Sequence, residues 1–462
     1  MSPNNLEPLD NILEAIGWTP LVRLNRITHG LRTPVFAKAE NLNPGGSVKD
    51  RIGLAIIEDA EKKGELKPGG TVVEATSGNT GVGLALACAI KGYRCIFTIP
   101  DKMSMEKVRL LRALGAEVIV VPTAVPPDHP EYYIQKARAI VAQTPGAIMA
   151  DQHYNPANPE AHYRTTGPEI WEQTRGRVTH FICSPGTGGT VSGAGRYLKE
   201  RNPKVRVIAG DPVGSIYTEY AQRHTKGEGF PYKVEGIGGD KIPTSLHFDV
   251  IDEWMFVTDA EAFQTSRRLT REEGLFTGGS TGVNVKVALE VARRVDDPEA
   301  MVVTILNDTG ERYLSKLYDD NWMRENQLLE SERVTASTLM AGRRGELPPL
   351  VSLAPGASVR QALNLMGTYN VSQIPVIEAE ECVGSLSEGP VMARALADAK
   401  LLDQAVSEVM QPPFPVIEPT TPLDRVTGLL SRETPAALVR QDGTFVGIVT
   451  RHDVLRHVAG IK

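Results

Sequence analysis

The chain predicts an α/β protein built on a largely parallel sheet, followed by a smaller module with an internal repeat. Three observations carry this. Between roughly residues 34 and 310, short apolar runs alternate with helix-period segments. Glycine-rich loops fall where such runs give way to helices, the place where folds of this kind gather ligands. Beyond residue 351 one helix–strand–strand–helix pattern occurs twice.

In chain order, PVFAKAE, TVVEAT, CIFTIP, EVIVVP, HFICSP, RVIAGD and MVVTIL each read as a buried strand. Between them DRIGLAIIEDAEKKG, TGVGLALACAIKG, MEKVRLLRALG and VSGAGRYLKERNP read as helices. After Leu329 the texture turns polar and rich in proline and glycine. Residues 1–329 are therefore expected to form one domain, 330–350 a linker and 351–462 a second module. Within that module VRQALNLMGTYNVSQIPVIEAEECVGSLSEGPVMARAL is echoed by LDRVTGLLSRETPAALVRQDGTFVGIVTRHDVLRHVA. Neither copy buries its apolar face alone, so the two halves are expected to stack.

The bulk properties exclude several classes. A formal net charge of −6, with both signs mixed, leaves no electrostatic footprint for nucleic acid. The most apolar segment, GVGLALACAIKGY, is too short to cross a bilayer. The first residues, MSPNNLEPLDNILEAIGWTP, lack the basic and apolar regions of a signal peptide. Cys88, Cys95, Cys183 and Cys382 show neither a CxxC pair nor zinc spacing, which suits a reducing cytoplasm. The nine histidines show no metal-ligand spacing, so no metal is expected.

Four loops carry the candidate chemistry. In NPGGSVKDR, residues 43–51, Ser47 reads as a helix N-cap and Asp50 as its capping-box partner, which puts Lys49 in the first turn. A lysine there could clamp a phosphate, attack a carbonyl or face water; the macrodipole and partial burial would depress its pKa. In EATSGNTGVG, Thr76, Ser77, Gly78, Asn79 and Thr80 offer hydroxyls and backbone N–H groups at a helix start, either a carboxylate nest or a capped turn. In SPGTGGTVSG, Gly186, Gly188 and Gly189 admit close approach while Thr187 and Thr190 supply hydroxyls, without a Walker lysine or a dinucleotide fingerprint. In GLFTGGSTGV, Ser280 could bond a heteroaromatic nitrogen or cap a helix. Taken together, an amine-reactive carbonyl, a phosphate and a ring nitrogen describe pyridoxal 5'-phosphate.

Residues from about 9 to 325 resemble the fold-type-II pyridoxal-phosphate enzymes, the tryptophan synthase β-like class, in the cysteine synthase and cystathionine β-synthase family. The segments GGSVKDRIGLAIIEDAEKKGELKPGGTVVEATSGNTGVGLALA, YRCIFTIPDKMSMEKVRLLRALGAE, VEGIGGDKIP and LSKLYDDNWM carry the likeness, which leans towards cystathionine β-synthase. The resemblance implies that Lys49 carries the cofactor and then moves the substrate's Cα proton. It implies that Asn79 bonds the cofactor's phenolic oxygen and that Gln152 supports the carboxylate grip of Thr76–Thr80. A neutral Ser280 opposite the ring nitrogen favours β-replacement over transamination. The implied reaction joins L-serine to L-homocysteine, giving L-cystathionine and water in transsulfuration. Cysteine synthesis from O-acetylserine and sulfide, or a catalytically idle sensor, are the alternatives. Gly239 stands where animal relatives carry an aromatic residue, so some space or ordering near the second-substrate entrance is expected to be lost, which leaves open the choice of thiol and of serine over O-acetylserine.

The C-terminal repeats resemble paired CBS-type regulatory modules, which bind adenosyl ligands such as S-adenosylmethionine or adenine nucleotides. Their Gly-x-x-Thr/Ser-x-x-Asp pattern is met in the second copy by Gly447, Thr450 and Asp453. The first copy keeps Gly384 and Ser387 but has Pro390 in place of the acid, so one site is expected, with a purely architectural repeat as the alternative. The likeness further implies a homodimer or larger homo-oligomer. The animal enzymes' haem-binding N-terminal extension and CxxC have no counterpart in the sequence, so neither haem nor a redox disulfide is expected.

Overall fold

The computed structural model describes residues 8–76, 78–101, 103, 105–126, 128–225, 227–329, 334–341, 348 and 350–459. They divide into two compact units, Met1–Leu329 and Glu330–Lys462. In the first unit the strands are β1 Leu21–Arg23, β2 Val35–Lys38, β3 Thr71–Ala75, β4 Arg94–Pro100, β5 Glu117–Val121, β6 Ala147–Met149, β7 His180–Ile182, β8 Arg206–Pro212, β9 Glu253–Val257 and β10 Val302–Ile305. The helices used below are α1 Lys49–Lys63, α2 Asn79–Lys91, α3 Met105–Ala113, α4 Tyr133–Gln143, α5 Ala157–Arg164, α6 Thr166–Gln173, α7 Gly189–Arg201, α8 Tyr217–Arg223, α9 Asp259–Glu273 and α10 Gly279–Val295.

All seven apolar runs form strands, and they assemble into two sheets. One has the order β1-β2-β10-β7-β8-β9 and is parallel except for the β1–β2 pair. The other, β5-β4-β3-β6, is parallel throughout. Parallel strands need covering on both faces, which is why β3 and β10 are buried along their whole length. Helices α1 and α2 cover one sheet through Ile52, Ile56, Val82 and Leu84 against Phe97 and Ile99. The two helices meet at glycines. A Cβ at Gly53 would lie 2.7 Å from the oxygen of Gly83, and one at Gly83 would lie 2.5 Å from the oxygen of Lys49. Only residues without side chains allow that approach.

Two expectations are corrected here. The capping box at Ser47 and Asp50 does not form. Val48 is the N-cap residue and already has helical angles, so Asp50 turns back to accept the Gly45 N–H at 2.5 Å, while Ser47 Oγ accepts the N–H of Lys49 at 3.2 Å. The Ser280 loop does not follow a strand either; it joins α9 to α10.

In the second unit each copy of the repeat contains two antiparallel strands between helices. Gln373–Glu378 pairs with Glu381–Ser387, and Ala436–Gln441 pairs with Thr444–Thr450. The register shifts at corresponding places, between Val376 and Ile377 and between Val439 and Arg440. Part of the stretch read as linker is built into this unit. Helix Ala336–Ala341 buries Ala336 and Leu339 in the same cluster as Ile417, Val439 and Val449, because their apolar side chains extend the second copy's core.

Candidate active site

Lys49 opens α1 on a turn held from several sides. The Val48 N–H donates to Asn307 O at 2.9 Å, and the Asn43 amide donates to Glu40 Oε2 at 2.9 Å and to Ser47 O at 3.2 Å. Beneath it lies a buried ion cluster. Arg51 donates in two pairs to Glu40 and Glu169, at 2.6–2.8 Å, and Lys38 Nζ reaches Glu169 at 2.6 Å. Burial alone would raise the Glu40 carboxyl, but the Arg51 guanidinium outweighs it and holds that group down to about 2. Full pairing of this sort is what makes buried charge tolerable.

The Lys49 side chain is half-buried, and its amine has no hydrogen-bond partner among the described residues. Burial pushes its pKa below the ordinary lysine value, against the opposing pull of Cys183 and Asp308. The Cys183 thiol is itself raised to about 12, chiefly by burial, and stays protonated. Such an amine gives up its proton more readily than an ordinary lysine, and without that proton it is a nucleophile and a base.

Around Lys49 opens a cavity. Asn79, Gly186, Thr187, Gly188, Thr190 and Ser280 line it, so residues from four separate loops meet there. Gly188, at φ +85°, is the N-cap of α7 and carries no side-chain cap, and the first N–H groups of a helix suit an anion. Gly189 stands behind the cavity wall, where a Cβ would collide with Asn158. Asn158 donates to Thr187 Oγ1 at 2.9 Å, and His162 Nε2 meets Thr190 Oγ1 at 3.1 Å. Burial, with Arg51 and Lys49 adding to it, lowers His162 to about 3, so the imidazole is neutral. Ser280 is buried in the first turn of α10 and faces the same cavity.

The remaining predicted residues gather at the start of α2. The Gly78 N–H donates to Thr76 Oγ1 at 3.3 Å, and the Thr80 hydroxyl donates to Gln152 Oε1 at 2.5 Å. Ser77 lies outside the described residues. Asn79 links this group to the cavity. Its amide donates to Asp308 Oδ2 at 2.7 Å and accepts from Arg312. Tyr313 also donates to Asp308 Oδ2, at 2.7 Å.

Asn158, His162, Asp308, Arg312 and Tyr313 were not singled out by sequence reasoning. The first two lie in NPANPEAHY, a segment whose role needed the fold to show. Glu235, in VEGIGG, accepts from both Lys107 and Lys316. At Gly239 the ring of Tyr217 fills the position that a side chain would enter.

Gly447, Thr450 and Asp453 belong to the second unit. Gly447 lies in a strand opposite Val439. Thr450 is the N-cap of helix Arg451–Val458, and Thr450 and Asp453 form a capping box, with Thr450 Oγ1 donating to Asp453 Oδ2 at 2.7 Å. In the first copy Ser387 holds the equivalent place without a side-chain cap. Among the described residues there is no cluster of metal-ligand type, and no helix is long and apolar enough to cross a membrane.

Comparison with known proteins agrees with this layout. Residues 12–308 match the family of pyridoxal-phosphate dependent enzymes, and residues 345–389 and 406–460 match the CBS domain. The cystathionine beta-synthase of Oryctolagus cuniculus is 40% identical over 98% of this chain and 85% of its own length. That of Dictyostelium discoideum is 38% identical over 97% and 92%. Among solved structures, an O-acetylserine dependent cystathionine beta-synthase from Helicobacter pylori is 37% identical, with a TM-score of 0.62 over 67% of this chain and 99% of its own. With its half-buried lysine between two glycine-rich helix starts and its paired C-terminal repeats, the chain belongs to the cystathionine beta-synthase family of pyridoxal-phosphate dependent enzymes.

Proposed function

We propose that the protein condenses L-serine with L-homocysteine, forming L-cystathionine and water, with pyridoxal 5'-phosphate held at Lys49. The observation that carries this reading is the half-buried, partnerless amine of Lys49, which shares one cavity with the glycine-rich start of α7. The donor set suits the cofactor. An amine of lowered pKa would take up its aldehyde, and the Gly186–Thr190 turn, where side chains on Gly188 or Gly189 would collide with Leu246 or Asn158, would hold its phosphate. Ser280 would serve its ring nitrogen as a neutral hydroxyl. Asn79, oriented by Asp308 and Arg312, would bond its phenolic oxygen.

When bound, the cofactor supplies the electron sink that lets the substrate's Cα–H bond break. Lys49 takes that proton and later returns one to Cα. Thr76, Ser77, Gly78, Thr80 and Gln152 hold the serine carboxylate at the start of α2. The serine Cβ–O bond breaks, its hydroxyl leaves as water with a proton, and the thiol of homocysteine forms the new Cβ–S bond as it gives up its own proton.

A second reading takes O-acetylserine as donor and sulfide as thiol; its choice of donor draws support from the likeness to the O-acetylserine dependent cystathionine beta-synthase of Helicobacter pylori. We further infer that Gly447, Thr450 and Asp453 bind an adenosyl ligand, S-adenosylmethionine or an adenine nucleotide. The same reading makes residues 1–329 the catalytic part and 351–462 the regulatory part of a haem-free cytoplasmic homodimer. The test is a competition on the purified holoenzyme, pairing serine and O-acetylserine each with homocysteine and with sulfide, compared by kcat/KM. Serine with homocysteine is expected to dominate. Dominance of O-acetylserine with sulfide would overturn the substrate assignment and select the second reading.

A further inference from the structure

Tyr217, the first residue of α8, is among the largest fully buried side chains. Its hydroxyl donates to the carbonyl oxygen of Gly186 at 2.8 Å, and Gly186 lines the Lys49 cavity. Its ring lies against Gly239, where an added Cβ would come within 2.8 Å of Tyr217 Cζ and 3.2 Å of Cε1. The segment around Gly239 is fastened from the same side. The Gly239 N–H donates to Ser215 Oγ at 3.1 Å, the Ile216 N–H donates to Gly239 O at 3.1 Å, and the Gly238 N–H donates to Pro185 O at 2.7 Å.

We infer that Tyr217 is a positioning residue for the phosphate-binding turn, and that it does from α8 what an aromatic side chain at position 239 would otherwise do. A trans peptide points its C=O and N–H in opposite directions. By holding the Gly186 carbonyl, Tyr217 turns the N–H of Thr187 the other way, so a donor rather than an acceptor is presented to an incoming anion. The same ring makes glycine obligatory at 239. The inference rests on the cofactor site proposed above and is independent of which thiol is used.

The test compares the wild-type enzyme with Tyr217→Leu, Gly239→Tyr, the double variant and Tyr217→Phe. Two quantities are read: the dissociation constant of pyridoxal 5'-phosphate, and the thermal midpoint of the cofactor-free protein. Tyr217→Phe keeps the ring and removes only the hydroxyl. It is expected to release the cofactor about tenfold more readily while the cofactor-free midpoint stays within about 3 °C of wild type. Gly239→Tyr alone is expected to bind worst, and the double variant to recover at least about tenfold of that loss, because two residues competing for one space are coupled. Unchanged cofactor affinity in Tyr217→Phe, or a double variant no better than Gly239→Tyr, would overturn the inference. If Gly239→Tyr does not fold, Tyr217→Phe decides alone. Since both quantities are read without substrate, a wrong thiol assignment leaves this test unaffected.

Discussion

In the first unit Lys38, Glu40, Arg51 and Glu169 are all out of solvent, on or beside the strands and helices that carry the cavity. In the second unit only Ser385 and Asp453 are buried polar residues among those described. One region concentrates charge where water is excluded and must pair it; the other packs two copies of an apolar motif and keeps a single buried carboxylate. Pairing charge that densely gives little net stability, since desolvation cancels most of the attraction. Its use is geometric: it fixes Lys38, Arg51 and hence the first turn of α1 in one arrangement. The second unit has no such constraint, and its two copies have been free to diverge at Pro390 and Asp453.

The largest expected effect breaks the charged side of this comparison. Lys49→Ala should lower turnover by at least about 10³-fold while circular dichroism and the thermal midpoint stay near wild type. The amine leaves no broken hydrogen bond behind, so a rate close to wild type would remove Lys49 from the chemistry.

A smaller effect concerns pH. Burial first, opposed by the Gly45 N–H and Arg312, raises the Asp50 carboxyl to about 7, and burial raises Glu74 to about 8. Each binds its proton more tightly folded than unfolded. The stability they contribute is complete below the ordinary carboxylate range and is lost as pH rises through 7 and 8. Asp50→Asn should therefore fall less in stability than wild type between pH 4 and 8, with a difference of up to about 4 kcal/mol by denaturant melts. Parallel curves would mean that Asp50 does not titrate in that window.

The smallest effect sharpens the contrast between the two repeats. Asp453→Asn should cost the second unit about 1 kcal/mol, through its capping box, and abolish any thermal shift caused by S-adenosylmethionine. Ser387→Ala, at the uncapped equivalent place, should change neither. Equal loss in both variants would mean that the copies are functionally alike.

Much of this was legible in the sequence wherever a signal was local. Buried parallel strands read as unbroken apolar runs, so β2 to β5, β7, β8 and β10 were plain, whereas β1, β6 and β9 are short or half exposed and lack that mark. The loops around Lys49, Gly186 and Ser280 announced themselves through glycine beside polar residues. The Ser47–Asp50 capping box did not survive because Val48 entered the helix early, a matter of the turn's backbone angles and not of composition. Asp308, Arg312 and Tyr217 act on residues 31 to 267 positions away along the chain, and no window of sequence places those groups together.

Gly53 and Gly83 bring this lesson to the reacting atoms. Helix α1 begins with the amine and α2 with the proposed carboxylate grip, and the two helices touch backbone to backbone at these glycines. The spacing between the two halves of the site is thus set by the absence of a methyl group at two positions that neither substrate nor cofactor need touch. A methyl there would act as a shim, spreading two helices whose separation the chemistry depends on. Tolerance to mutation in this enzyme should accordingly follow the contact line between α1 and α2 as closely as it follows the cavity wall.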